Sequence, residues 1–585
     1  MRLGVIFLLF SVLLGAQSLD EILVDETDDP DEGHYLNALL VTLFQPFNLE
    51  IADSNMLESK GFSREAITSI LEWQGKGANH SSLKRLQKRL GESDKVLLQQ
   101  IPWEGKEGIG LNIRQRLQSG ASSEGWRILQ KGRLRSPWGN LIFLLEQDPG
   151  EARLSDHSIL TFSSDRLPVF HQMILGDFHV RWGAGLILNQ QGFRSNLNPN
   201  SLLMGSPLSI TPHYSSRETD YFRGIAGEWN LAGIKGAMFI SSRKAVGVFD
   251  GAEFKEDSDG IHPSGKQYKN FTQRFAGMAG IYESGSLELF SAVIFNPQTK
   301  PAGQYELGMT WHISGSQLLQ LFTDRYRLGE GRSIIVWSYK SKTVIYSIQY
   351  RRYKTTTPLS SGSVPAMLGT TATNESGLAI RTQIRPNKQV LLRYALDTGF
   401  SSKLNDLKEN NRVVQHKAQL FLKQNQRDWQ LDISLKRAGP ITPIDLWNSE
   451  SNYDQISKLA LSLSQKISPK FQYRLNLKTA ANSSDKSMLI QQRLMLNAVS
   501  LKASIGFVRF IVPEYGLRLS IYETSLLESF SFYTAYEDGQ RWFIYVKRRF
   551  REQVDLEMRL AHSHLDQLPL GAKQLEVSLQ LSIVL

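Results

Sequence analysis

A run of basic residues carries the clearest chemistry in this sequence. Lys84, Arg85, Lys88 and Arg89 are spaced so that they fall along one face of a helix. Cationic side chains in such a row suit contact with phosphate groups, which supply the sequence-independent part of nucleic-acid binding. A solvated helix face explains the same run equally well. The run therefore predicts a phosphate-binding surface. The alternative is a solvated helix face that binds nothing.

Other candidate chemistry is sparse. The chain has no nucleophile elbow, Walker A loop or HExxH zinc motif, and it has no cysteine. His562 and His564 share a strand face without a third ligand nearby in sequence, which favours a surface pair over a metal site. We therefore expect no enzyme activity, no metal site and no cofactor.

One glycine-rich strand, residues 174–189, groups further polar residues. Asp177, His179 and Arg181 alternate on one face of it, and Phe178, Val180 and Trp182 lie on the other. One interpretation is a polar cluster in a lumen. The interpretation that we favour is an ordinary barrel strand in which glycines mark a bulge or bend.

The basic run belongs to a segment with helical periodicity, residues 34–104. Gly61 interrupts the pattern between two helices and Gly91 does so again, so the segment contains two helix–turn–helix units. The apolar side of the helix that follows Gly61 is predicted from four residues, Ala66, Ile67, Ile70 and Leu71.

These two units resemble the tandem helix-hairpin-helix domain of competence-type DNA-binding proteins. The family's opening Asn-Leu-Asn-x-Ala pattern is matched by Asn48, Leu49, Glu50, Ile51 and Ala52. Its later leucine, hairpin glycine and alanine are matched by Leu57, Gly61 and Ala66, and its second hairpin by Leu90 and Gly91.

The resemblance implies DNA binding, in which hairpin N–H groups at a helix N-terminus hold a backbone phosphate. The predicted contacts are Gly61, Phe62, Ser63, Arg64, Lys84, Arg85, Lys88, Arg89 and Gly91. Ser63 replaces the family's second hairpin glycine. Glu92 and Asp94 place carboxylates beside the second phosphate position, so the first hairpin is the better candidate.

From about residue 105 the periodicity changes to that of strands. Residues 575–585 read LEVSLQLSIVL, in which apolar and polar residues alternate almost to the end. Similar segments recur, including the predicted hairpins 272–283 with 286–295 and 458–466 with 471–479. A soluble sandwich or propeller is the alternative. The pattern favours a large transmembrane antiparallel β-barrel of about 22–26 strands.

A barrel of that size is roughly 45–50 Å across, so it needs internal loops or a plug. Residues 189–220 and 354–376 form two long loops that could fill it, although exposed loops are commoner. The glycine-rich segment 174–189 resembles a strand motif of barrel proteins that carry an N-terminal helix-hairpin-helix domain, chiefly in Bacteroidetes-like bacteria.

The N-terminus predicts export. Residues 1–18 have the charge, apolar core and small residues of a secretory signal peptide, and residues 19–33 form an acidic linker. The helix-hairpin-helix domain would then be residues 34–104 and the barrel residues 105–585. The expected location is the outer membrane of a Gram-negative bacterium, with the helical domain in the periplasm.

Two functions follow from this organisation. The first is non-specific DNA binding by the helical domain, during uptake or passage across the membrane. The second is a transport or structural barrel whose helical domain is a plug or a protein-docking module. Expected partners are outer-membrane lipid, DNA, and periplasmic or outer-membrane proteins.

Overall fold

The computed structural model describes residues 49, 57, 64–75, 86 and 90 of the N-terminal region and most of residues 110–584. The ranges outside this description include 1–48, 149–156, 189–196, 257–268, 355–374, 402–411 and 440–453. The chain divides into two compact units, residues 1–109 with 527–532 and residues 110–526 with 533–585.

The described helix of the first unit, α1, spans Arg64–Gly75. It buries Ala66, Ile67 and Ile70 as predicted, but Leu71 is exposed and Trp73 is buried in its place. A side-chain amide of α1 also bonds to the chain upstream, since Gln74 Nε2 donates to Leu49 O at 2.7 Å. Leu57, Leu86 and Leu90 are buried as well. No helix among the described residues is long and apolar enough to cross a bilayer.

The second unit is built from strands. The first fourteen are β1 (Gly110–Ser119), β2 (Trp126–Ser136), β3 (Gly139–Gln147), β4 (His157–Ser164), β5 (Gln172–Trp182), β6 (Leu208–Pro212), β7 (Phe222–Leu231), β8 (Ile234–Asp250), β9 (Glu253–Glu256), β10 (Lys269–Ser284), β11 (Leu287–Phe295), β12 (Gly303–Ser314), β13 (Gln317–Arg325) and β14 (Gly331–Lys340).

The remaining strands are β15 (Val344–Lys354), β16 (Glu375–Ile384), β17 (Val390–Ser401), β18 (Arg412–Gln424), β19 (Arg427–Gly439), β20 (Asp454–Lys466), β21 (Phe471–Ala481), β22 (Lys486–Asn497), β23 (Leu501–Ile511), β24 (Leu519–Glu523), β25 (Ser531–Ala535), β26 (Gly539–Phe550), β27 (Val554–Leu565) and β28 (Lys573–Val584). Two 3-10 turns lie at Pro199–Leu202 and Tyr515–Leu517.

These strands close into a barrel of 24 antiparallel strands. Each wall strand pairs with its neighbours in the chain, and closure comes from β1 and β28, where Asn112 pairs with Val584 and Ser119 with Val577. Four strands stay outside the wall: β6 extends β5, β9 extends β8, and β24 and β25 form their own sheet. Closure leaves the wall without an unpaired edge, which a chain in lipid requires. The predicted fold class and strand number are confirmed.

The two ends of the barrel differ in their connections. At one end, here the short-turn end, strands follow each other closely, as from Ser284 to Leu287 and from Gln424 to Arg427. At the other, the long-loop end, connections run from Lys354 to Glu375 and from Gly439 to Asp454. Because the strand number is even, β1 begins and β28 ends at the short-turn end.

Candidate functional site in the barrel lumen

The wall presents apolar side chains outward and polar side chains inward. On β8, Ile240 points outward and is 71% exposed, whereas Ser241 and Arg243 point inward and are buried. On β27, Glu557 and Arg559 are buried inward while Leu556 is exposed outward. This is the reverse of a water-soluble protein and the arrangement of a barrel whose outer face is solvated by lipid.

One arc of the lumen wall is rich in basic residues. The register places six cations inward on the four strands β20–β23: Lys458, Lys466, Arg474, Lys478, Arg493 and Lys502. No Asp or Glu occurs among the described side chains of these four strands. The described inner face of this arc therefore carries a net positive charge, beside the apolar residues Leu489, Val508 and Phe510.

The opposite arc is apolar on its inner face. Phe239, Phe290 and Phe322 point inward from β8, β11 and β13 and belong to one buried apolar cluster. Phe275 on β10 and Ile334 on β14 extend the cluster. Apolar side chains on the inner face of a wide barrel need a cover that excludes water, and a segment of the chain provides it.

That cover, which we name the inward ribbon, consists of residues 178–188 and 208–213. Beyond Phe178, β5 leaves β7 and pairs with β6, so that Val180 lies opposite Ile210. Trp182 is fully buried against Phe239, with ring centres 5.3 Å apart. The 3-10 turn ends at Leu202, which is buried in the same cluster.

Two glycines lie at close approaches along β5 and the inward ribbon. Gly176 has a φ of 107°, and a Cβ there would lie 2.0 Å from Leu160 O. Gly183 has a φ of 54°, and a Cβ there would lie 2.4 Å from Glu306 Oε1. The favoured interpretation of the glycine-rich motif, an ordinary barrel strand, describes β5 only as far as Phe178, because beyond that residue the strand continues as the inward ribbon.

A buried carboxylate holds the tip of the inward ribbon. Glu306 points inward from β12 and is fully buried. It accepts hydrogen bonds from the backbone N–H groups of Ala184 at 2.7 Å and Ile187 at 3.3 Å. These bonds satisfy backbone groups that would otherwise be stranded in the lumen.

A second segment enters the lumen on the polar side. We name β24 and β25 the lumen hairpin. Gln491 Nε2 donates to Tyr522 O at 3.2 Å, and Thr524 Oγ1 donates to Ser504 Oγ at 3.2 Å. Leu519 and Ile521 pack in an apolar cluster with Leu489, Val508 and Phe510 of the wall.

An ion-pair network fixes the lumen hairpin to the wall. Glu523 of β24 accepts from Arg541 Nε at 2.6 Å and from Arg541 Nη2 at 3.0 Å, and it also pairs with Arg559. Glu576 pairs with the same two arginines, at 2.9 Å to Arg541 and 3.1 Å to Arg559. Arg541 further lies over the ring of Tyr533 of β25, 4.3 Å from its centre.

A polar and aromatic cluster lies where the inward ribbon leaves the wall. His179 Nε2 is 2.6 Å from His213 Nδ1, and the ring of His213 stacks on Tyr221 with centres 4.5 Å apart. The guanidinium group of Arg243 also lies over the ring of Tyr221, 4.5 Å from the ring centre. The described residues contain no group of three or more potential metal ligands. The cluster anchors the ribbon.

Of the predicted DNA-binding residues, the structure places only Arg64, as the first residue of α1. Gly61, Phe62, Ser63, Lys84, Arg85, Lys88, Arg89 and Gly91 lie outside the described residues. Within the predicted loop 189–220, Leu202 and Ile210 are buried in the lumen, whereas most of loop 354–376 is outside the description. His562 and His564 share the outward face of β27, where His562 stacks on Trp542.

Sequence reasoning missed the lumen hairpin and its ion pairs. The four charged residues of that network come from three wall strands and a connection, far apart in sequence. A signal was present, because Arg541, Arg559 and Glu576 all occupy inward positions of strands that are apolar on the other face.

No protein-family model matches this chain, and no curated protein matches it significantly. Solved barrels match at low similarity. A copper transporter, OprC, aligns with 9% identity and a TM-score of 0.41 over 82% of this chain and 81% of its own. The siderophore receptor PirA from Acinetobacter baumannii aligns with 8% identity and a TM-score of 0.42 over 83% and 82%. The P pilus usher PapC translocation pore aligns with 7% identity and a TM-score of 0.33 over 82% and 99%. At these values the similarity identifies neither a family nor a ligand for this chain.

Proposed function

We propose that this chain is a transport barrel of a Gram-negative outer membrane, narrowed by the inward ribbon and the lumen hairpin. The observation that carries the proposal is a closed wall with a lipid-type outer face around a polar lumen. The predicted signal peptide and the position of both barrel termini at the short-turn end support a periplasmic position for that end.

The two inward segments are held differently, and this suggests which one moves. The inward ribbon packs on the wall through a continuous apolar cluster that includes Trp182 and Phe239. The lumen hairpin has a smaller apolar cluster with the wall and adds polar contacts, among them Glu523 with Arg541 and Thr524 with Ser504. A hydrogen bond between neutral groups, such as that of Thr524 with Ser504, contributes only about 0.5–1.5 kcal/mol, so the larger apolar cluster holds the inward ribbon more firmly. The lumen hairpin is thus the proposed gate.

A disulfide lock tests the gate. The chain has no cysteine, so Ser504→Cys with Thr524→Cys introduces a single thiol pair. The native hydroxyl oxygens are 3.2 Å apart, close enough for two sulfurs to bond after small side-chain rotations. We expect the oxidised variant to conduct less in planar bilayers than the same protein after reduction.

The control is Thr524→Cys alone, whose conductance should not respond to reductant. Mass spectrometry verifies the disulfide before each recording. Equal conductance with the bond closed and open would show that the lumen hairpin does not gate a passage.

DNA binding remains our second proposal, made for residues 34–104 in the periplasm. It is favoured by the start of α1 at Arg64, directly after the segment Gly61 to Ser63 that the hairpin pattern assigns to phosphate contact. A helix that begins there directs free backbone N–H groups toward an anion. The test is salt-dependent DNA retardation by the full chain in detergent.

A further inference from the structure

The outer surface of the barrel differs between its two ends. Near the short-turn end the outward positions are aromatic: Trp229, Tyr282, Trp311, Trp337, Trp429 and Phe471. Near the long-loop end, aromatic residues such as Phe295 and Tyr305 are joined by outward basic residues, which form a basic rim: Arg223, Lys244, Arg274, Arg352, Lys354, Lys486 and Arg509. Aromatic side chains are enriched at both membrane interfaces. Basic side chains at a membrane surface attract anionic lipid head groups.

Acidic residues offset only part of this basic rim. Asp177 pairs with Arg223 at 2.6 Å, and Asp566 pairs with Arg509 at 2.9 Å. Lys244 and Arg274 have no ion-pair partner among the described residues, and both are exposed. Two like charges therefore lie next to each other with no counter-charge among the described side chains.

The register brings these two cations together. Lys244 on β8 is paired with Thr272, and Arg274 on β10 is paired with Ser242. Lys244 and Arg274 are thus diagonal neighbours on one face, about 7–8 Å apart at the backbone. Side chains of this length can converge on one phosphate group, with which arginine bonds in a bidentate manner.

The same two strands carry the lipid-facing surface directly below the cations. Ile240 on β8 and Met278 on β10 each lie four residues nearer the short-turn end and are 71% and 54% exposed. A ligand that contacts both the two cations and these two apolar side chains has an anionic head group and apolar chains. A free anion would contact only the two cations.

We propose that Lys244 and Arg274 form a binding site for the phosphate of an outer-leaflet phosphorylated glycolipid. The acyl chains of that lipid lie along Ile240 and Met278. The site rests on the long-loop end facing outward, and it does not depend on what the lumen carries or on the gate.

The test uses the full chain in detergent, titrated with diphosphorylated lipid A and followed by native mass spectrometry. We expect retained lipid A, several-fold weaker retention of dephosphorylated lipid A, and about tenfold weaker retention of lipid A by Lys244→Gln with Arg274→Gln. Inorganic phosphate at millimolar concentration should not displace the lipid.

The matched control is Lys342→Gln with Lys470→Gln, which removes the same charge from two exposed residues of short turns. It should retain lipid A as the unmodified chain does. An equal loss of lipid A retention in both double variants would show that the effect depends only on the net charge of the protein. Equal retention of the two lipid forms, or displacement by inorganic phosphate, would also overturn the proposal. Urea unfolding in vesicles confirms that each variant is folded.

Discussion

Arg541 and Glu523 form a two-point ion pair inside the barrel, with Nε to Oε1 at 2.6 Å and Nη2 to Oε2 at 3.0 Å. Both side chains are almost completely buried, and they join β26 to the lumen hairpin. A charge removed from such a pair leaves its partner uncompensated in a poorly solvated site. The pair is therefore the point at which the lumen hairpin is most sensitive to substitution.

Glu523→Gln should loosen the lumen hairpin. It leaves Arg541 and Arg559 with Glu576 as their shared carboxylate, and we expect a loss of about 3 kcal/mol in the free energy of unfolding. Conductance in planar bilayers should rise at the same time. The control is Glu283→Gln, which breaks an exposed pair with Lys235 and should cost about 1 kcal/mol or less. Equal effects of the two variants would contradict the role assigned to Glu523.

Gly183→Ala should displace the tip of the inward ribbon. The new Cβ would lie 2.4 Å from Glu306 Oε1, which holds the ribbon's backbone. We expect residues near 184–188 to become cleavable by protease in the folded barrel. Gly233→Ala is the matched control, because Gly233 also has positive φ but has nothing within 4 Å of its Cβ position. If both variants resist protease equally, the contact with Glu306 does not hold the ribbon.

Ile240→Arg tests whether the outer face is solvated by hydrocarbon. An arginine near the middle of the bilayer should cost about 2–4 kcal/mol in unfolding free energy, against about 0–1 kcal/mol near an interface. Ser242→Arg, one outward position closer to the long-loop end of β8, is the comparison. The measurement is urea unfolding in lipid vesicles. Similar costs at both positions would argue that β8 does not face lipid at Ile240.

Substitution of Lys84, Arg85, Lys88 and Arg89 by Ala should weaken DNA binding by the full chain. It should also flatten the dependence of affinity on salt, because fewer counterions are released. Gel retardation across a salt series measures both effects. Unchanged affinity and slope would remove these four residues from the proposed site.

The barrel wall was predictable because lipid imposes a period of two on every strand. The hairpins 272–283 with 286–295 and 458–466 with 471–479 appear as β10 with β11 and β20 with β21. The strand at residues 575–585 appears as β28. In the two hairpins the turn between alternating segments was short enough to set the register.

The lumen was less predictable because its contacts join residues far apart in the chain. The strands of the lumen hairpin have only five residues each, too few for a periodic signal. The inward ribbon left a trace, since Phe239 and Phe275 put apolar side chains on faces that should be polar in an open lumen. These apolar residues indicate a covered surface, but they do not identify the segment that covers it.

Closure by β1 and β28 has a consequence for how the protein is made. The hydrogen bond between Arg116 and Gln580 joins residues that are 464 positions apart. The first wall strand is synthesised long before its last partner exists, and until then both edges offer unsatisfied backbone groups to any neighbouring chain. Assembly must therefore be delayed or escorted until the final twelve-residue strand arrives. A chain truncated before that strand would remain an open, aggregation-prone sheet.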